Sequence, residues 1–242
     1  MRVSVLGCGR WGTFLAWYLR RSGQEVTLYG RKGSKRMEGL LATRTNGVVP
    51  LPEEVRLTQD LREALQNDTL VVSVGSQSLR GLLGEVRALG GTGRRFVLCM
   101  KGLEAATGKR LSAIVKEELG EDTPVAVWLG PGHVQEFTAG IPNCMVLDSQ
   151  DEALQEELIT AFSSQLIRFY YGRDMIGNEI GGASKNVIGI AAGMLDGLGL
   201  SSLKGALMSR GTREIARLIK ALGGNELSAY GLCHLGDYEA TV

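Results

Sequence analysis

A glycine-rich segment near the amino terminus has the residue types and spacing of a dinucleotide-binding loop. Residues 7–12 read Gly-Cys-Gly-Arg-Trp-Gly, which satisfies the pattern G-x-G-x-x-G between a predicted strand and a predicted helix. In this pattern the first glycine permits a tight turn, the second lets a pyrophosphate approach the backbone, and the third lets the helix pack on the strand. Gly7, Gly9 and Gly12 are therefore expected to serve a bound dinucleotide, the alternative being an ordinary glycine-rich turn.

The residues after the second predicted strand bear on which dinucleotide is bound. An NAD-binding fold normally carries Asp or Glu at this place, where the carboxylate accepts a hydrogen bond from the ribose. Here Gly30 is followed by Arg31 and Lys32, whose cationic side chains suit a 2′-phosphate better. We expect NADP to be preferred and NAD to be tolerated, unless these residues form only a solvated basic loop.

A lysine stands in a long apolar segment of the second half of the chain. Glu179 and Lys185 are the only charged residues between Met175 and Leu195. Burial would disfavour the charged ammonium, and an amine that exchanges its proton can act as a general acid or base. Lys185 is therefore a candidate catalytic residue. The alternatives are a lysine that reaches solvent from a helix end and one paired with Glu179 or Asp237.

Short apolar runs bounded by turn residues predict the strands that would position these groups. Amphipathic stretches between several of them have helical spacing and end at Gly23, Gly90 and Gly120, where glycine favours helix termination. Repeated strand–helix–strand units predict a doubly wound, mainly parallel sheet. The seven predicted strands cover residues 3–6, 26–29, 70–74, 96–100, 125–129, 144–147 and 166–170.

The pattern changes after Asp174, where strand signals end. Residues 175–195 are rich in Gly, Ala, Ile and Val, and apolar residues recur at helical spacing from 203 to 222. We therefore predict an α/β fold with a Rossmann-type domain at 1–174, followed by an all-helical domain at 175–242. The glycines at 181, 182, 189 and 193 leave the first helix of the second domain without side chains at these positions, and we expect this to let the helix pack closely on the first domain.

Composition excludes several classes of protein. The chain has 242 residues, 34 of them glycine, and its 27 Lys plus Arg nearly balance 26 Asp plus Glu. Without a basic block, nucleic acid is not an expected partner. The four cysteines are far apart and there are only two histidines, so neither a metal site nor a disulfide framework is expected. No apolar run is long enough to span a bilayer, and we expect a cytoplasmic protein without stable membrane insertion.

Six sequence segments, which include the glycine-rich loop and the segment around Lys185, occur in the same order as the motifs of a known family. They are spread along the chain from its first residues to its last. They occupy residues 7–16, 51–55, 100–104, 181–199, 209–215 and 231–237, and include Met-Lys-Gly-Leu-Glu at 100–104 and Gly-Leu-Cys-His-Leu-Gly-Asp at 231–237. Together they resemble bacterial NAD(P)-dependent glycerol-3-phosphate dehydrogenase. The resemblance implies a helical second domain like that of 6-phosphogluconate dehydrogenase.

The resemblance also implies an activity and a set of site residues. The family reduces dihydroxyacetone phosphate to sn-glycerol 3-phosphate with NAD(P)H, for glycerophospholipid synthesis. Lys185 would donate or accept the proton in catalysis. Substrate contacts would come from Lys101, Gly130, Gly132 and Asp237, and cofactor contacts from Gly7, Gly9, Arg10, Trp11, Gly12, Arg31, Lys32, Lys101 and Val134.

The chain departs from the family pattern at several positions. Gly132 and His133 replace a serine and a phenylalanine, and Arg10 and Gly75 replace a small polar residue and a proline. His133 is a rival acid/base group, or else a packing residue. These changes leave another small keto or hydroxy acid open as the substrate.

The chain also ends early relative to the family pattern. The family's Ser-Arg-Asn segment does not occur before Val242, so we expect a truncated chain that lacks a phosphate-binding arginine and the last helices. A nucleotide-binding protein without catalysis is then an alternative to the enzyme. Incomplete helices also favour a homodimer.

Overall fold

The structure, a computed structural model, describes residues 1–240. Within that range the chain forms one eight-stranded sheet in the order β3-β2-β1-β4-β5-β6-β7-β8. Neighbouring strands are parallel except for β6 and β7, which are antiparallel. The strands are β1 Arg2–Leu6, β2 Glu25–Tyr29, β3 Arg56–Thr58, β4 Thr69–Val72, β5 Arg95–Leu98, β6 Val125–Leu129, β7 Asn143–Ser149 and β8 Ile167–Tyr171.

The predicted sheet is confirmed, and all seven predicted strands are present with ends within two residues of those observed. The sequence did not reveal β3, because a three-residue strand with a single buried side chain has no readable periodicity. Strands β4 and β5 stop two residues earlier than predicted. The residues left over lie in loops at the carboxyl edge of the sheet.

Helices connect the strands and cover both faces of the sheet. Side chains alternate along β1, so that Val3 and Val5 join one apolar cluster and Leu6 joins the other. The predicted helix ends are confirmed at Gly23, Gly90 and Gly120, which have positive φ. The helices of this part are α1 Arg10–Arg21, α2 Lys35–Thr43, α3 Leu61–Ala64, α4 Leu79–Ala88, α5 Leu111–Leu119, α6 Val134–Thr138 and α7 Glu152–Phe162.

The residues that follow the last strand are helical, as predicted. They form α8 Met175–Gly197, α9 Ser201–Ala221 and α10 Leu235–Glu239, with a 3₁₀ turn at Glu226–Tyr230. Asp174 caps α8 by accepting a hydrogen bond from the backbone N–H of Gly177 at 3.0 Å. We keep the division at 174/175 as a proposal.

Helices α8 and α9 pack on each other and carry apolar side chains on their outer side as well. Four such residues of α8 and the turn after it are 65–69% exposed: Val187, Ile190, Met194 and Leu198. Even so, no helix within residues 1–240 has the length and apolar character needed to cross a membrane.

Candidate active site

The glycine-rich loop has the geometry that its pattern predicts. Gly7 has a φ of +115°, and a Cβ there would overlap the carbonyl oxygen of Ser73. A Cβ on Gly12 would overlap the carbonyl oxygen of Gly7. Gly7 therefore lets the loop approach the segment after β4, and Gly12 lets α1 approach the end of β1. The backbone of Gly9, which precedes α1, is open, because the nearest atom to a Cβ there would be Arg36 Nη1 at 3.7 Å.

Two cavities meet at this loop, where the strand order reverses between β1 and β4. Gly9, Ser73 and Val74 line both of them. One, of about 540 Å³, contains Arg31 and is called the Arg31 cavity; the other, of about 410 Å³, contains Lys101 and is called the Lys101 cavity. A crevice at such a switch point is where doubly wound folds bind ligands. Two cavities joined at a phosphate-binding loop fit the two halves of a dinucleotide.

The Arg31 cavity is basic at the end of β2. Arg31 and Arg36 line it, together with the acidic Glu85 of α4. Gly30 lets the end of β2 approach the loop, because a Cβ there would lie 2.6 Å from Cys8 Sγ. Lys32, in contrast, is exposed and is not among the residues that line either cavity.

Several of the predicted cofactor-binding and substrate-binding residues line the Lys101 cavity. Gly9, Arg10, Trp11, Lys101, Gly130 and Gly132 all line it. The Trp11 ring lies 4.9 Å from the Phe14 ring, measured between centroids. Val134 does not line the cavity; its side chain is 5% exposed and belongs to the core.

A carboxylate joins the two candidate lysines. The Lys185 ammonium donates to Asp237 Oδ1 at 2.6 Å, and the Lys101 ammonium contacts Oδ2 of the same carboxylate. Lys101 also donates to the carbonyl oxygen of Gly130 at 3.2 Å. Lys185 is 8% exposed and Asp237 is 3% exposed. Three residues, from the loop after β5, from α8 and from α10, thus form one cluster, the Lys–Asp–Lys cluster.

The electrostatics of this cluster favour an anionic ligand. Burial lowers the pKa of Lys101; Asp237 opposes this shift, while the nearby ammonium of Lys185 reinforces it. Two ammonium groups share one carboxylate, so the cluster carries an excess of positive charge when both are protonated. Arg10 adds a further cation to the Lys101 cavity. A phosphorylated substrate would therefore be attracted to this cavity.

Glu179, which the sequence offered as a partner for Lys185, has other contacts. Its buried carboxylate accepts from Arg110 Nη1 at 2.6 Å, from the Ser112 backbone N–H at 2.9 Å and from Ser112 Oγ at 2.5 Å. These bonds tie α8 to the beginning of α5. No spacing in the sequence pairs Arg110 with a residue 69 positions away.

The glycines of α8 behave differently from one another. A Cβ on Gly181 would lie 3.0 Å from His234 Cβ, so this glycine lets α8 approach the segment before α10 and not the first domain. Gly182 does face the first domain, but a Cβ there would lie at an ordinary contact distance, 3.6 Å from Lys101 Cγ. The expectation was wrong for Gly189 and Gly193, where nothing in residues 1–240 lies within 4 Å of a Cβ.

The departures at Gly132 and His133 have a packing explanation. A Cβ on Gly132 would overlap the ring of Phe137, so glycine allows this aromatic residue to pack against the loop. His133 is exposed, and its Nε2 lies 2.8 Å from the carbonyl oxygen of Ala240. Gly130 has a φ of +131° that favours glycine.

The family can be identified from comparison with known proteins. The family model for the amino-terminal part of NAD-dependent glycerol-3-phosphate dehydrogenase matches residues 2–155, and the model for its carboxyl-terminal part matches residues 174–242. The chain belongs to this dehydrogenase family. Because the two models together match most of the chain, the resemblance seen in the motifs is confirmed.

Individual glycerol-3-phosphate dehydrogenases agree with this assignment. The enzymes of Thermoanaerobacter sp. and Fusobacterium nucleatum, both named glycerol-3-phosphate dehydrogenase (NAD(P)+), are each 39% identical to the chain over its full length and over 74% of their own. The crystal structure of the Coxiella burnetii enzyme matches with a TM-score of 0.92 and 33% identity, over 99% of this chain and 74% of that one. The Rossmann-like and helical parts are thus those of the family.

Proposed function

We propose that the chain is an oxidoreductase that reduces dihydroxyacetone phosphate to sn-glycerol 3-phosphate with NAD(P)H and also catalyses the reverse reaction. The observation that carries the proposal is the Lys–Asp–Lys cluster beside the Lys101 cavity, in a chain of this family. The product would serve glycerophospholipid synthesis.

The cofactor would lie across both cavities, with its pyrophosphate against Gly9 at the amino terminus of α1. Gly7 and Gly12 shape this loop, while Arg10, Trp11 and Lys101 line the Lys101 cavity. When bound, the reduced nicotinamide supplies hydride to the ketone carbon. We retain Lys32 and Val134 as candidate cofactor contacts, Lys32 through its charge and Val134 through its backbone at the start of α6.

Reduction of the ketone also needs a proton at its oxygen. We assign this proton to the Lys185 ammonium, which Asp237 holds through the 2.6 Å hydrogen bond. In the reverse direction the neutral amine of Lys185 would remove the hydroxyl proton. Lys101, Asp237 and the loop at Gly130 and Gly132 would bind the substrate.

The proposal is tested by a substrate panel with the purified chain. We expect NADPH absorbance to fall when dihydroxyacetone phosphate is added, and not when non-phosphorylated keto acids are added. Oxidation of NADPH by another ketone alone would assign a different substrate. Tight NADPH binding without turnover of any ketone would indicate a nucleotide-binding protein without catalysis.

We propose that NADP(H) is preferred over NAD(H). Arg31 supports this, because it lines the cavity at the end of β2 and no carboxylate follows that strand. Replacing Arg31 with alanine is expected to raise the Kd for NADPH about tenfold, equivalent to about 1.4 kcal/mol, and to leave the Kd for NADH unchanged. Arg168→Ala, on the far edge strand β8, is the control for a lost surface charge. Equal affinities of the unaltered protein for the two cofactors would refute the preference.

We further propose a cytoplasmic protein that acts on small molecules, does not bind nucleic acid and forms a homodimer. The exposed apolar residues of α8 and α9 support self-association. Light scattering after size-exclusion chromatography is expected to give twice the mass of one chain, and a monomer at all concentrations would contradict the dimer.

A further inference from the structure

The loop that follows β5 carries Lys101 and is closed upon itself. This loop, residues 101–110, is called the Lys101 loop. Glu104 N–H donates to the Lys109 carbonyl at 3.0 Å, and Gly108 N–H donates to the Glu104 carbonyl at 2.8 Å. Its own backbone thus fixes its shape, but these bonds do not fix its place on the rest of the protein.

The end of the loop is held by the bond from Arg110 to Glu179, and the contacts that fix the rest of it come from the beginning of α4 and the turn before it. Gln77, in the 3₁₀ turn Ser76–Ser78, donates from Nε2 to the Leu103 carbonyl at 2.8 Å. Its Oε1 accepts from the Ala105 backbone N–H at 2.8 Å. One side-chain amide therefore binds the backbone on both sides of Glu104.

Glu104 itself is held by an arginine of α4. Arg80 makes two parallel bonds to its carboxylate, Nε to Oε1 at 2.8 Å and Nη2 to Oε2 at 2.9 Å. Thr107 Oγ1 donates to Oε2 at 2.6 Å. Hydrogen bonds from Arg80 and Thr107 lower the pKa of Glu104 to about 2, so the carboxylate is charged at neutral pH. A bidentate pair of this kind fixes direction as well as distance.

The loop approaches this anchor closely. Gly102 has a φ of +137°, and a Cβ there would lie 2.9 Å from Ser76 Oγ. Lys101 directly precedes Gly102, and its ammonium reaches the Gly130 carbonyl and Asp237. A shift of the loop would therefore displace the ammonium from both partners.

We infer that Gln77 and Arg80 are positioning residues for Lys101: they fix the Lys101 loop on α4 and so hold the ammonium against Asp237 and Gly130. The inference rests on the proposed function for the role of Lys101 in binding substrate and cofactor. Gln77 also lines the Arg31 cavity, so the same residue borders the cofactor cavity and holds the loop that carries Lys101.

One variant that tests this inference is Arg80→Gln, which removes the bidentate pair together with the bonds from Arg80 Nη1 to Glu117 and Glu118 of α5. Gln77→Ala is the second variant, because it removes bonds to the Lys101 loop and none to α5. Arg95→Gln is the control for the loss of an ion-paired arginine near this loop. Arg95 begins strand β5, at the end away from Lys101, and makes a single bond to Glu157 at 2.7 Å. We expect kcat/KM for dihydroxyacetone phosphate to fall about 10–100-fold in Arg80→Gln. Arg95→Gln should stay within about twofold of the unaltered protein, and Arg80→Lys, with one contact in place of two, should be intermediate.

A second readout does not depend on activity. Reductive methylation followed by peptide mass spectrometry gives the reaction rate of each lysine. In Arg80→Gln and Gln77→Ala the Lys101 rate should rise severalfold, while that of Lys220 on α9 should not change. A lower melting temperature with unchanged kcat/KM and an unchanged Lys101 rate would overturn the inference. If the unaltered protein does not turn over, the proposed function fails, and the Lys101 rate alone decides the positioning role.

Discussion

Replacing Lys185 with alanine or arginine is expected to lower kcat for dihydroxyacetone phosphate about 10²–10⁴-fold, the usual contribution of a positioned acid or base. Arginine keeps the positive charge beside Asp237 but does not give up its proton at any ordinary pH. Loss of activity in Lys185→Arg would therefore show that Lys185 acts by proton transfer and not only through its positive charge. Steady-state kinetics with NADPH measure the effect, and Lys220→Arg on the surface of α9 is the control.

The comparison with Lys101 makes the test stringent. Lys101 lines the cavity, and burial lowers its pKa, so it is the natural competitor for the role of proton donor. Under the proposed function Lys101→Arg keeps the cation and mainly raises KM. If Lys101→Arg instead abolished kcat and Lys185→Arg retained it, the two roles would have to be exchanged.

The sequence predicted much of the cluster because its members lie in readable contexts. Lys185 stands out in an apolar segment. Lys101 came from the family resemblance, and its place after a buried strand, at the edge where doubly wound folds bind ligands, agrees with that role. Asp237 was offered from the sequence only as one of two possible partners of Lys185, and its contact with the substrate came from the family resemblance. The structure adds that one carboxylate contacts both lysines.

Other parts of the site could not be predicted because they depend on tertiary packing. The bonds from Gln77 and Arg80 to the Lys101 loop join residues 24–28 positions apart, and no local periodicity links them. The same holds for Glu179, whose partners precede it by almost 70 residues. For Gly189 and Gly193 the sequence predicted packing that is not observed. Their spacing fits a packed helix face, but no described atom lies within 4 Å of a Cβ at either position.

Removing the Glu179 carboxylate is expected to have the largest effect on stability. Glu179→Ala would leave the guanidinium of Arg110 and the backbone N–H of Ser112 without their present acceptor. Breaking a buried, hydrogen-bonded charge pair on one side costs about 3–5 kcal/mol, and we expect the lower end of this range because the Arg110 side chain that remains is 25% exposed. The free energy of unfolding from urea titration measures it. Glu157→Ala is the matched control, because it breaks an exposed pair of similar length with Arg95, worth about 0–1 kcal/mol.

The position of Glu179 predicts a second consequence, which a milder variant of the same residue tests. Glu179 lies on α8 six residues before Lys185 and is the point where that helix is tied to α5. The milder variant Glu179→Gln keeps an acceptor for Ser112 but loses the charge, so it should fold while holding α8 less firmly. We expect it to lower kcat as well as stability, because Lys185 moves with the helix. Equal stability of Glu179→Ala and Glu157→Ala would contradict the anchoring role, since an exposed and a buried pair would then contribute alike.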